Sequence, residues 1–161
     1  MTTPLIVIAL LFGPWIISAI ASRSFFLPRE MTQGRLAIGL ALSFLFFAIG
    51  HFVQTDAMIE MLPAWVPLRR ELIYATGIAE LLVAFALLTR KWRTLAAIAA
   101  SSMLVLFFPA NIYAAVNAVG MGGHAWGPIY LLIRVPLQLL LIAVVLAILG
   151  RWPALGMRGA R

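Results

Sequence analysis

The sequence has no cysteine. That excludes a disulfide framework, a thiolate metal site, an iron–sulfur centre and a cysteine nucleophile. It has two histidines, His51 and His124, too few for a haem or zinc site built by the chain alone. No glycine-rich phosphate loop, nucleophile elbow or zinc motif occurs. Acidic residues are scarce: 5 Asp and Glu against 12 Lys and Arg. Charged residues make up 11% of the chain, where a soluble domain carries about 25%. So few charges cannot cover a soluble fold of this size. A disordered chain is excluded as well, because disorder needs low hydrophobicity. Internal repeats and low-complexity tracts are absent.

What is abundant is apolar: 64% of the 161 residues are hydrophobic. The chain therefore reads as one integral membrane domain. Charge-free runs mark the spans, since a helix needs about 20 apolar residues to cross a bilayer. Residues 1–22 and 36–55 carry no charge, and 72–89 carries only Glu80. The uncharged run 94–133 is too long for one span and breaks at Gly120-Met121-Gly122-Gly123. The expected fold is all-α, a polytopic bundle of five transmembrane helices near 4–22, 36–52, 72–89, 95–118 and 129–150. The runs are too long and too uniform for barrel strands. Between Pro63 and Pro67, Trp65 marks an interfacial strap over 53–71, with a short helix near 57–62.

The first run ends in Ala19-Ile20-Ala21, which resembles a signal-peptidase site, yet no cation precedes it and Arg23 follows it. A signal peptide has the opposite order, so the run is expected to stay as a membrane anchor, kinked at Pro14. Alternate connections give the orientation. Arg23, Arg29, Arg35, Arg90, Lys91, Arg93, Arg151, Arg158 and Arg161 fall on one side, and Arg69 and Arg70 on the other. The basic side is cytoplasmic, which puts the N-terminus outside and the C-terminus in the cytoplasm. The same counting explains the pI near 11.4 without nucleic acid.

Polar groups inside a membrane need a partner or a task. At about 1.5 Å per residue, Glu80 lies ~12 Å below the outer surface, Asn111 ~10 Å, Arg134 ~7–8 Å and Gln138 ~13 Å. His51 lies near that surface, and Tyr74 and Tyr113 are on the same side. Polar groups from four helices thus share the outer half, while the cytoplasmic halves are almost purely apolar. Glu80 and Arg134 are the expected ion pair, with Asn111 able to bridge them or to contact a ligand. The pair serves either as a structural lock on helix register or as the wall of a pocket. Asn111 serves either as interhelical glue or as a ligand contact. His51 reads as a helix-end or interfacial residue, with proton shuttling as the alternative, and His124 as a solvated loop residue. Gly77, one turn before Glu80, lets a neighbouring backbone or a flat ligand come close.

The stretch Gly50-His51-Phe52, then Met61-Leu62-Pro63-Ala64-Trp65-Val66-Pro67, resembles the DoxX-like family of small bacterial membrane proteins. The resemblance continues through Tyr74-Ala75-Thr76-Gly77-Ile78-Ala79-Glu80-Leu81-Leu82, Phe108-Pro109-Ala110-Asn111-Ile112-Tyr113 and Arg134-Val135-Pro136-Leu137-Gln138. It covers about residues 36–150 and implies a four-helix bundle, to which the helix at 4–22 is an addition. It also implies a bacterial inner membrane and a link to quinone chemistry. The expected function is binding of a quinone or lipid-like amphipathic molecule in a pocket formed by Glu80, Asn111, Arg134 and Gln138, with His51, Tyr74 and Tyr113 nearby. That function is more that of a binding protein than of an enzyme. The alternatives are a non-catalytic accessory subunit of a larger redox or photosynthetic membrane complex, and a membrane subunit of a quinone-linked oxidoreductase. The chain builds no cofactor of its own; a quinone is the candidate ligand.

Overall fold

The structure is a computed structural model that describes residues 2–23 and 28–150. The basic tail with Arg151, Arg158 and Arg161, and Trp152 within it, lie outside the described residues. The elements are α1 (Thr2–Ala21), α2 (Arg29–Val53), α3 (Thr55–Glu60), α4 (Arg69–Leu88), α5 (Arg93–Val116), a 3-10 helix (His124–Tyr130) and α6 (Leu131–Ile148). There is no strand among the described residues. Five helices are long and apolar enough to cross a membrane, the 3-10 turn and α6 together forming the last.

The boundaries differ from hydropathy at the ends. α2 begins at Arg29 rather than at 36, because a helix runs on past its apolar stretch while hydrogen bonding continues. Glu30 in its first turn suits the positive end of the helix dipole. The run that was expected to start at 129 opens with the 3-10 turn before α6. α1 is one helix through Pro14.

α2 is the central helix. It packs on α1, α4 and α6, and α5 closes the bundle by packing on α4 and α6. Half of its span is buried, against a third or less for the others. Leu40 and Phe44 meet Leu87, Ala97, Leu141 and Val145 in the core. Outward faces remain apolar, with Leu82, Phe85, Leu106, Leu132 and Leu139 exposed. Such a surface is matched to lipid rather than to water.

The helices alternate in direction. Gln33 Nε2 donates to the Ala147 carbonyl at 3.4 Å, so the start of α2 lies beside the end of α6. The end of α2 therefore lies beside the start of α6, at the end of the bundle that carries the 54–68 and 117–130 connections. At the opposite end Arg93 Nε donates to the Leu87 carbonyl at 3.2 Å and closes the turn between α4 and α5. The expected strap is present as α3 followed by an exposed Trp65. An exposed Arg70–Asp56 pair at 2.7 Å ties α3 to α4.

Close approach at Gly39 docks α1. A Cβ there would lie 1.9 Å from the Leu11 carbonyl oxygen, a backbone atom that cannot swing aside. Gly34 has nothing within 4 Å of such a Cβ. Gly39→Ala is expected to lower stability by roughly 1–3 kcal/mol through overpacking. Gly34→Ala is expected to be neutral or stabilising by up to about 1 kcal/mol. Thermal unfolding of the two variants in the same detergent checks the contrast; equal effects would contradict the docking.

Candidate functional site

The buried face of α4 is a stripe at three- and four-residue spacing: Ile73, Gly77, Glu80, Val83, Ala84 and Leu87. Gly77 is its opening. A Cβ at Gly77 would fall 2.7 Å from His51 Cβ and 3.2 Å from the Phe52 ring. The bare backbone lets α2 lie against α4, so the neighbour that Gly77 admits is α2 itself. His51 is carried into the bundle and is 8% exposed. Its Nδ1 sits 2.9 Å from the Ile73 carbonyl oxygen and 3.2 Å from Thr76 Oγ1. Its Nε2 lies 3.3 Å from Glu80 Oε2. The Thr55 hydroxyl donates to the His51 carbonyl at 2.7 Å and holds the last turn of α2.

This corrects two expectations. His51 is a buried residue, not an interfacial one. The partner of Glu80 is His51, not Arg134: among the described residues Arg134 forms no ion pair. Spacing within single helices cannot show which neighbour lies on Glu80's face, and the approach at Gly77 assigns that place to α2. Arg134 remains close enough to interact electrostatically with Glu80.

Arg134 stands on the first turn of α6, one turn from Tyr130 and one from Gln138. Its Nε donates to Asn111 Oδ1 at 2.9 Å. Asn111 Nδ2 in turn donates to the Phe107 carbonyl at 2.8 Å. Asn111 is thus committed to Arg134 and to its own helix, and it does not bridge to Glu80. The two terminal nitrogens of Arg134 have no hydrogen-bond partner among the described residues, although a guanidinium carries five N–H donors. Gln138 Nε2 donates to the Leu104 carbonyl and ties α6 to α5. Gln138 Oε1 is buried without a hydrogen-bond partner among the described residues, as is Glu80 Oε2.

Tyr74 and Tyr113 are the remaining expected members. Tyr74 is exposed and stacks on Phe52, ring centroids 6.0 Å apart. Tyr113 is half-buried, and its hydroxyl makes no hydrogen bond among the described residues. His124, expected in solvent, is buried instead. The 117–130 connection folds back as a 3-10 turn. At Gly123 a Cβ would lie 2.0 Å from the Tyr130 ring, so only glycine allows that ring to pack there. His124 meets the same ring edge-on at 4.9 Å, and its Nδ1 donates to the Met121 carbonyl at 3.0 Å. Hydropathy treats this glycine-rich stretch as loop and cannot show that it tucks inward. The inward turn is the reason His124 and Tyr130 escape a sequence reading.

Two clefts run along α6. One, of about 410 Å³, is lined by Pro4, Ile8, Ile133, Pro136, Leu137 and Leu140, between α1 and α6. The other, about 540 Å³, runs from Pro136 to Leu146. Both are apolar, and neither is lined by Glu80, Asn111, Arg134 or Gln138. On a helical wheel the first faces roughly 110° and the second roughly 160° away from Arg134.

Removing the acceptor of Arg134 leaves a charge without its internal bond. Asn111→Leu is expected to cost roughly 1–3 kcal/mol. Adding Arg134→Leu is expected to recover part of that loss, because replacing both members by apolar groups removes the unpaired charge. Unfolding midpoints of the two single variants and the double variant check this, and additive losses would contradict the coupling.

The comparisons with known proteins give a family without a stated activity. A family model described as a domain of unknown function, DUF8561, matches residues 40–149. No curated protein and no solved structure matches the chain. The match begins within α2 and runs to the end of α6, so it takes in His51, Glu80, Asn111, Arg134 and Gln138 and leaves α1 outside. Since it covers more than half of its length, the chain belongs to the DUF8561 family.

Proposed function

We propose that this protein binds an amphipathic small molecule, a quinone or a lipid-like compound, with its polar end at Arg134 in the outer half of the bundle. The observation that carries this reading is the state of Arg134. Its charge lies in a membrane-crossing segment, one nitrogen is satisfied by Asn111, and the terminal nitrogens are unpartnered among the described residues. A cation in that setting requires an oxygen partner. The position on α6 adds to the demand. The N-terminal turn of a helix is itself electropositive, and α6 has no acid in its first turn. A carbonyl, phenolic or phosphate oxygen meets both needs, and the apolar remainder of the molecule lies among hydrocarbon side chains or lipid.

The resemblance to DoxX-like proteins supports the same reading, because the polar positions it covers include those gathered here. A bacterial inner membrane, an external N-terminus and a cytoplasmic C-terminus belong to this proposal. The bacterial inner membrane rests on that resemblance, and the orientation on the asymmetry of Lys and Arg between the two sides. In this orientation Arg134 and Glu80 face the outer leaflet.

Protein purified in mild detergent and extracted with organic solvent tests the proposal. One class of quinone or lipid is expected at near one molecule per chain, enriched over the bulk membrane extract. Arg134→Leu is expected to lower that enrichment at least tenfold, and Arg134→Lys to lower it less, since lysine keeps the charge and loses the fork of donors. A wild-type extract matching bulk membrane would refute it. A second polypeptide retained at fixed stoichiometry, with no enriched small molecule, would favour an accessory subunit.

A further inference from the structure

Heavy-atom positions locate one hydrogen of the His51 ring. A carbonyl oxygen can only accept a hydrogen bond. Nδ1 of His51 lies 2.9 Å from the Ile73 carbonyl, so Nδ1 carries a hydrogen. Thr76 Oγ1 is also near Nδ1, but its hydroxyl lies 2.9 Å from both the Leu72 and the Ile73 carbonyl. Its hydrogen goes to one of them, and its oxygen faces Nδ1 as an acceptor. The tautomer of His51 is thereby fixed by α4.

The consequence falls on the other nitrogen. In a neutral ring with hydrogen on Nδ1, Nε2 presents a lone pair. A carboxylate oxygen also presents only lone pairs. Nε2 and Glu80 Oε2 are 3.3 Å apart and both buried, so two acceptors would repel there. One proton on that axis turns repulsion into attraction, whether it rests on nitrogen or on oxygen.

Among the described residues, the surroundings offer Glu80 no other carboxylate or hydrogen-bonded cation. α6 contributes Arg134, which acts on Glu80 through its charge. α5 contributes the Phe107 ring, 6.5 Å from the His51 ring, and Asn111, whose amide is already committed. α3 contributes Thr55, bonded to the His51 backbone. His124 and Tyr130, from the 3-10 turn, interact with Arg134 rather than with the pair.

We propose that His51 and Glu80 form an intramembrane site that holds one proton between Nε2 and Oε2 and exchanges it with an oxygen of the molecule bound at Arg134. This deepens the binding reading above and rests on it for the ligand; the proton itself does not. In the exchange the N–H or O–H bond of the pair breaks and an O–H bond forms on a ligand oxyanion of phenolic type. No electrons move. The pair is left as a neutral histidine and a carboxylate, whose charge is balanced by Arg134. The reverse step returns the proton.

The chain has only two histidines, so His124→Gln leaves His51 as the single imidazole. Nitrogen-15 spectra of that variant in lipid nanodiscs read its tautomer directly. The expected result is hydrogen on Nδ1 throughout, with Nε2 hydrogen-bonded. In Glu80→Gln, Nδ1 is expected to keep its hydrogen and Nε2 to accept from the amide, with no titratable proton left on the axis. A neutral ring with hydrogen on Nε2 would overturn the proposal. This spectrum needs no ligand, so failure of the ligand reading leaves its result standing.

A lipophilic nitrophenol tests the exchange, because its phenolate absorbs visible light and its phenol form does not. At a pH about one unit above its own pKa, wild type is expected to bind it with most of the colour lost, and Glu80→Gln with the colour kept. A wild type that leaves it as coloured phenolate, or does not bind it, would overturn the exchange.

Discussion

The bond from the His51 ring to the Ile73 carbonyl organises the polar end of this bundle. It joins α2 to α4 at 2.9 Å, and it forms only because Gly77, one turn after Ile73, leaves room for the α2 backbone. Everything about Glu80 follows from it. The ring is held in one orientation, its second nitrogen lies 3.3 Å from the carboxyl group, and Arg134 acts on that group through its charge without an ion pair. A side chain of any size at position 77 would part the two helices at this point.

Two polar clusters result, and they differ in kind. His51 and Glu80 are deeply buried and face each other at 3.3 Å, a contact that one shared proton makes attractive under the inference above. Arg134 and Asn111 are joined by one hydrogen bond, and the guanidinium keeps donors to spare. In hydrocarbon the first arrangement is stable by itself and the second is incomplete. Under the proposed function the open cation is the anchor for a small polar head group, and the pair is the neighbour that gives or takes a proton. Of the remaining polar atoms, Gln138 Nε2 ties α6 to α5 and Asn111 Nδ2 fixes Asn111 itself, while Gln138 Oε1 has no partner among the described residues.

The architecture was legible in the sequence because the lipid interior imposes it. Charge-free runs of about 20 residues can only be helices there, and five such helices are present. The expected common depth of Glu80, Asn111, Arg134 and Gln138 rests on the same constraint, since rise per residue converts position into depth. Pairing was not legible. Which of two cations meets Glu80 depends on how α2 and α6 rotate around α4, and that rotation is decided by close contacts such as the one at Gly77. Asn111 could be placed but its partner could not. His124 was hidden because a glycine-rich connection carries no periodicity from which an inward fold could be read. The exposure of Tyr74 was not legible, because depth was known while the face of the helix was not.

A density map of the protein purified from its native membrane bears most directly on the central claim. His51 Nε2 and Glu80 Oε2 are expected within hydrogen-bonding reach, with an ordered non-protein head group on the terminal nitrogens of Arg134. Arg134 turned onto Glu80 as a closed, dry ion pair, with His51 released from the Ile73 carbonyl, would contradict it.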